Sequence, residues 1–440
     1  MRDVLILLVV FSMIPMIFLR PHVGILAWYW ISCMNPHRLS WSFAYDFPVA
    51  MVIGAATLLA WVLSKEPKKL PLNAVSVLLL TFVFWMSFAN LFAMVPDLAF
   101  EKWNQSIKIL LMTFATMALM QSRERLHALI WVVVSSLAFF GIKGGLFTIL
   151  SGGVAHVWGP SGSFIADNNA LAMALVMVLP WVRYLQLHTD SKPIRFGLYA
   201  TMALMVFSII GSQSRGAFLG GITMLAFLLV KSRQRVLLGM IVAVLLTVGA
   251  IFVPSAWVDR MKTIETYQQD GSALGRLEVW GFAIKIARDR PIVGGGFRVS
   301  YDDEIYLRYV PNAISGHGRN FHSVYFEVLG ELGYVGLFTY LALLLAVWKS
   351  GSRVIAVAKT RPDLRWASDL AHMTQVSLVG FVVAGAFQNL AFFDLYFFLV
   401  AVLFVSYRIV LRQLEVRDTV LEPQPVQPTA KSRPRLPRSV

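Results

Sequence analysis

The sequence predicts an all-α, polytopic integral membrane protein with about 12 transmembrane helices. Three observations predict it. Of the 440 residues, 57% are hydrophobic and only 14% are charged, too few charges to clothe a water-soluble chain of this length. Mean hydropathy is +0.66. Apolar runs long enough to span a bilayer recur from one end of the chain to the other. The net charge of +15 would suggest nucleic acid in a soluble protein. Here no basic stripe is interleaved with aromatic side chains, so nucleic acid is excluded as a partner and the excess charge is assigned to basic loops beside anionic membrane lipids. The single cysteine, Cys33, rules out an internal disulfide and a cysteine-based metal site.

The first run, 4–19, has the core of a signal peptide, but only Arg20-Pro21-His22 follows it, with no small-residue cleavage site, so it is read as retained. The second, 23–36, follows so closely that the pair is two crossings, a broken helix or a re-entrant pair. Further runs lie at 47–64, 72–94, 105–120, 128–150, 168–187, 196–211, 217–230, 236–254, 323–348, 370–390 and 392–410. Basic residues gather in alternate connections: Lys65/Lys68/Lys69, Arg123/Arg125, Lys192/Arg195, Lys231/Arg233/Arg235 and Lys349/Arg353/Lys359/Arg361/Arg365. Each is two crossings from the next, so all fall on one face, assigned to the cytoplasm. The outer connections are then 95–104, 151–167, a tight turn at 212–216, the long loop 255–322 and a short turn at Phe393-Asp394. Residues 1–410 form one transmembrane domain with the 255–322 loop inserted. The Pro- and Arg-rich tail, 411–440, reads as a disordered cytoplasmic extension.

The long outer loop carries the most chemistry. GRLEVWGFAIKIARDRPIVGGGF (275–297) has helical periodicity, with Leu277, Trp280, Ile284 and Ala287 as the apolar stripe and Pro291 and the glycines ending it. The glycines lack the Lys-Ser/Thr ending of a phosphate loop and follow a helix, which excludes nucleotide binding there. Arg276 is either a lipid-headgroup contact of an interfacial helix or a phosphate ligand. His322 abuts the next membrane helix. It is an interfacial histidine, half of a metal pair with His317 aided by Asp302-Asp303-Glu304, or a general base. Arg215 sits in the tight outer turn, as a headgroup contact, a cap or a ligand. Lys143 lies within a crossing segment, where snorkelling also explains it. The topology sends Lys143, Arg215, Arg276 and His322 toward one leaflet. Several cations and one proton acceptor suit an anionic, lipid-linked substrate.

At these residues the chain resembles a known family. HSVYFEVLGELGYVG, with His322, Ser323, Glu331, Gly333 and Gly336, resembles the His-(Asn/Ser)…Glu-x-Gly-x-x-Gly signature of the O-antigen ligases. SRGA at 214–217 resembles their outer-turn arginine motif. Arg276…Trp280…Pro291…Gly294-x-Gly296 resembles their loop motif, and GPSGSFIADNNALA (159–172) their glycine-to-asparagine stretch. The KGG segment and the tail resemble a branch of O-glycosylation ligases associated with exosortase systems.

The resemblance implies a GT-C type glycosyltransferase of the bacterial inner membrane with its active site facing the periplasm. It implies transfer of a glycan from undecaprenyl diphosphate to the lipid A–core oligosaccharide, with no cofactor and no metal. On this expectation His322 is the general base. Arg215 and Arg276 hold the diphosphate, with Lys143 assisting from below. Glu327 and Glu331 orient His322 or fix the helix, and His317, Arg319 and Tyr301 line the acceptor path. Four other readings stay open: a protein O-glycosylation ligase, a repeat-unit polymerase, a lipid-linked oligosaccharide transporter and a structural assembly factor. No internal repeat supports the transporter.

Overall fold

The computed structural model describes residues 2–231, 239, 271–314 and 316–421. Among these there are α-helices and short 3-10 turns but no strand. The helices are α1 (Arg2–Leu19), α2 (Pro21–Met34), α3 (Val49–Leu63), α4 (Ala74–Asn90), α5 (Pro96–Leu119), α6 (Arg123–Leu150), α7 (Asn168–Leu187), α8 (Lys192–Gly211) and α9 (Arg215–Lys231). After the interval outside the described residues come α10 (Gly271–Asp289), α11 (Asp303–Tyr309), α12 (Val324–Ala358), α13 (Arg365–Gly385) and α14 (Asp394–Leu421). Seven described helices are long and apolar enough to cross a membrane, and α3, α4 and α9 are shorter apolar helices. The expected segment 236–254 and the start of the long loop lie outside the described residues.

The two N-terminal runs are separate helices joined at Arg20. Pro21 starts α2 with its φ already helical. Asn35 ends it in the left-handed region, its N–H donating to Ile31 O. Successive helices then alternate in direction. One end of the bundle gathers the α3–α4, α5–α6, α7–α8 and α12–α13 connections, where most of the expected basic clusters fall. Contacts between distant segments tie that end together: Arg125 pairs with Glu66, His188 with Asp369, and Arg412 donates to Gln121.

At the other end, Asn168 Nδ2 donates to Ser212 O at 2.7 Å, and Gln213 Nε2 donates to the carbonyls of Gly153 and Val154. The tight turn expected at 212–216 is therefore held between the 151–167 loop and α7. Glycines bring α6 and α8 into close approach. A Cβ on Gly145 would sit 2.1 Å from Leu204 O, and one on Gly144 2.3 Å from Ser208 Oγ. The KGG segment is thus a packing surface.

Three differences from the sequence reading have physical causes. Residues 96–104, expected as a loop, are the first turns of α5. Pro96 supplies the start and Asp97 suits the positive helix end, and the charges that mark the stretch as polar are satisfied by packing. The stripe of α10 is also displaced. Val279, Phe282, Ala283 and Ile286 form a small core with Val299, Ile305, Tyr306 and Phe321, while Leu277 is 49% exposed. The stripe shifts because α10 packs on both α12 and α11. Finally, α14 runs on to Leu421, so its last turns include residues 411–421, and the rest of the expected tail lies outside the described residues.

The outer elements lock onto a kink in α12. Gly333 has φ 70° and ψ −170° inside that helix, breaking its ladder and freeing carbonyls. Gly295 N–H donates to Gly330 O at 2.8 Å, Gly296 N–H to Glu331 O at 2.9 Å, and Trp85 Nε1 to Leu332 O at 3.0 Å. Tyr334 N–H returns to Pro291 O, and Met94 N–H donates to Gly295 O. The glycine triplet and the Glu-x-Gly-x-x-Gly stretch are therefore two halves of one joint. Gly296 has φ 87°, and a Cβ there would lie 2.4 Å from Ala93 Cβ. Gly296→Ala is expected to cost at least about 1 kcal/mol and to lower Tm in detergent. Gly281→Ala, on open helix surface with nothing within 4 Å, is expected to leave it unchanged or raised.

Candidate active site

A cation from α5 meets two carboxylates from α12 under this joint. Glu327 and Glu331 are i,i+4 on one helix face and each is 1% exposed. Lys102 Nζ donates to Glu327 Oε1 at 2.6 Å and to both oxygens of Glu331 at 2.8 Å. It also lies 5.3 Å from the centroid of Phe297 and 5.1 Å from that of Phe392. Further donors reach the same carboxylates. Glu331 accepts from Arg298 N–H at 2.9 Å, and Glu327 from Ala391 N–H at 2.9 Å and Asn389 Nδ2 at 3.3 Å. Buried charge is stable only when paired and hydrogen-bonded in this way. The sequence reading left Glu327 and Glu331 as orienters of His322 or as anchors of the helix. They accept from Lys102 and from backbone and amide N–H groups, the arrangement of an anchor for the helix.

The same segment fixes His322. Phe321 N–H donates to Asn389 Oδ1 at 3.1 Å, and Phe321 O accepts from Trp280 Nε1 at 2.9 Å. His322 N–H donates to Asn320 Oδ1 at 3.2 Å. Between these ties His322 is held at φ 48°, a left-handed conformation that a non-glycine residue rarely adopts and that marks functional positions. Its imidazole is held near pKa 4, below the ordinary 6.5, first by burial and then by the Arg276 and Arg319 guanidiniums, with Asp167 acting in the opposite sense. It is therefore a neutral imidazole at neutral pH.

Three charged side chains, Arg276, Arg319 and Asp167, act on that ring. Arg276 comes from α10. Arg319 reaches the same place because Gly275 has no side chain: a Cβ there would be 1.8 Å from Arg319 Nη1. Asp167 caps the start of α7, accepting from Asn169 N–H and Ala170 N–H. Arg215 opens α9, half-buried, beside Gly216, whose Cβ position is 2.9 Å from Phe387 Cβ. Phe387 is two residues from the Asn389 that holds Phe321, so the start of α9 packs on the segment that follows α13.

The other expected residues are placed differently. Lys143 is exposed on α6, and neither it nor Arg215 is among the charges that shift His322. His317 is exposed, so its ring stands apart from the buried core. Of the acidic run once weighed as metal ligands, Asp302 caps α11 and Asp303 accepts from Gly318 N–H at 2.7 Å. Burial raises the Tyr301 phenol above its ordinary range, with the Asn320 side chain acting in the opposite sense. With Lys102, Arg298, Glu327, Asn389 and Phe164, Tyr301 lines a cavity of about 160 Å³ next to the His322 segment. Sequence reasoning missed Lys102, Asn389, Asn320 and Asp167. The available signal for Lys102 was the pair of carboxylates on one face of an apolar helix, which demands a cation from elsewhere in the chain.

Residues 200–341 match the family model described as O-antigen ligase, a span that contains Arg215, Arg276, His322 and the whole glycine joint. Residues 1–190 match a family of unknown function (DUF5935), which contains Lys102 and Asp167. No curated protein matches the chain.

Removing Lys102 strands two buried carboxylates. Lys102→Met is expected to cost about 3–5 kcal/mol, read as a lower Tm in detergent. Adding Glu327→Gln and Glu331→Gln is expected to restore part of the loss. His322 adds a pH dependence. Between about 6.5 and about 4 the unfolded chain binds the proton that the folded chain refuses, so stability falls as pH drops through that window. His322→Gln is expected to flatten the Tm-versus-pH curve there relative to the native protein.

Proposed function

We propose that this chain, whose residues 200–341 match the O-antigen ligase family model, is a membrane glycosyltransferase that moves a glycan from undecaprenyl diphosphate to the lipid A–core oligosaccharide. The observation that carries this reading is the neutral His322 imidazole set beside the Arg276 and Arg319 guanidiniums. His322 takes the proton of an acceptor hydroxyl. The hydroxyl oxygen bonds to the anomeric carbon as the bond from that carbon to the diphosphate oxygen breaks, inverting the centre. Arg276, Arg319 and Arg215 hold the departing diphosphate, whose charge guanidiniums stabilise through paired donors without a metal. Lys143, exposed on the flank of α6, is left outside this set. The bundle end that carries His322 faces the periplasm of an inner-membrane protein in this reading, and the basic end faces the cytoplasm.

The base is tuned by its own substrate. Alone, the two guanidiniums and burial keep the ring a weak base. A bound diphosphate brings negative charge that offsets those cations and raises the imidazole pKa toward neutrality. Proton affinity therefore appears when the donor is in place.

The test is a reconstituted assay with purified lipid-linked glycan and lipid A–core. His322→Ala is expected to lower turnover at least about 100-fold with normal Tm; substantial residual turnover removes the base. Transfer is expected to persist in EDTA. The acid limb of kcat/KM, which reports the free enzyme, is expected near pH 4, and that of kcat at higher pH. In a deletion strain, intact polymer retained on the carrier lipid supports the ligase. Loss of polymer length supports a repeat polymerase, and transfer to a protein hydroxyl in the same assay supports the protein-glycosylating branch.

A further inference from the structure

The bundle end remote from His322 holds a cavity of about 520 Å³ that the reaction above does not use. It lies where α1 meets α2, against the α3–α4 connection and the start of α6. Arg20, His22, Lys65, Glu66 and Arg125 are among its lining residues. The charges do not balance: three cations face one carboxylate. Arg125 is the cation that engages Glu66, at 2.7 Å, and it also donates to Leu119 O at 2.9 Å. Arg20 and Lys65, both exposed, supply the excess.

Two further features point to an anion. His22 Nδ1 is buried without a hydrogen-bond partner among the described residues. The α2 helix begins at this cavity with no side-chain cap, so its positive end adds to the potential. Apolar surface adjoins it: Leu19 in the lining is 82% exposed, and Leu63 and Val62, just before the lining residue Ser64, are 70% and 61% exposed.

We propose that this cavity seats the phosphate of an anionic phospholipid headgroup, with the acyl chains lying over Leu19, Val62 and Leu63. A basic pocket between membrane helices favours anionic over zwitterionic headgroups. Free phosphate shares the charge chemistry but makes no use of that apolar surface.

The test uses the full chain in detergent, titrated separately with phosphatidylglycerol, phosphatidylcholine and inorganic phosphate, reading Tm and co-purified lipid. Phosphatidylglycerol is expected to raise Tm saturably. The Arg20→Ala/Lys65→Ala double variant is expected to weaken that response about tenfold or more, from two lost cations near the headgroup, while leaving glycan transfer intact. Both side chains are exposed, so folding is expected to survive, and the lipid-free Tm checks this. Lys65→Glu alone provides a second reading. An equal response to phosphatidylcholine, an undiminished response in the variants, or full reproduction by inorganic phosphate overturns the proposal.

Discussion

The structure depends on one ammonium held by two carboxylates in an apolar bundle. Glu327 and Glu331 cannot remain buried without compensation, and Lys102 alone cannot saturate them. The remaining lone pairs draw in the backbone at Arg298 and Ala391 and the Asn389 amide. Satisfying two side chains thereby fixes α5, the kinked helix α12, the turn before α14 and the glycine loop in one arrangement. His322 lies five residues before Glu327, and its position follows from that arrangement.

The chemistry is built on the rim of this joint. Phe321, buried against α10 and tied at both its N–H and its carbonyl, leaves the next residue little freedom, and His322 takes a left-handed backbone. Its ring meets guanidiniums from α10 and from the segment just before it. A histidine in such a field is a poor base until an anion arrives. In the proposed reaction this suits a donor that carries two phosphates, because selection for a charged donor would then reside in the base as well as in the cations.

Much of the fold is legible in the sequence because bilayer-spanning runs and alternating basic connections are signals of length and charge that tertiary packing does not erase. The 212–216 turn and the existence of a helix after residue 271 are legible for the same reason. The start of α5 is not. Glu101 and Lys102 look like loop residues because their partners lie 197 and 225 or more residues away. The α10 stripe is misplaced by a few positions because its true neighbours, α11 and α12, decide which of two adjacent apolar faces is covered. In the candidate site, His322 and Arg276 are legible from chemistry and motif. Arg319 reads as peripheral until the missing side chain of Gly275 brings it to Arg276. Lys143 reads as convergent from its depth alone, and its exposure on α6 could not be known without the rotation of that helix.

The kink at Gly333 has a consequence for biogenesis. The half-helix before it carries both carboxylates, and their cation is synthesised 225 residues earlier than Glu327. A nascent α5 therefore carries an ammonium whose carboxylate partners have yet to be made. It stays so until ribosomes have delivered most of the remaining chain. Any truncated product that ends before α12 lacks both of the carboxylates that Lys102 engages in the folded protein.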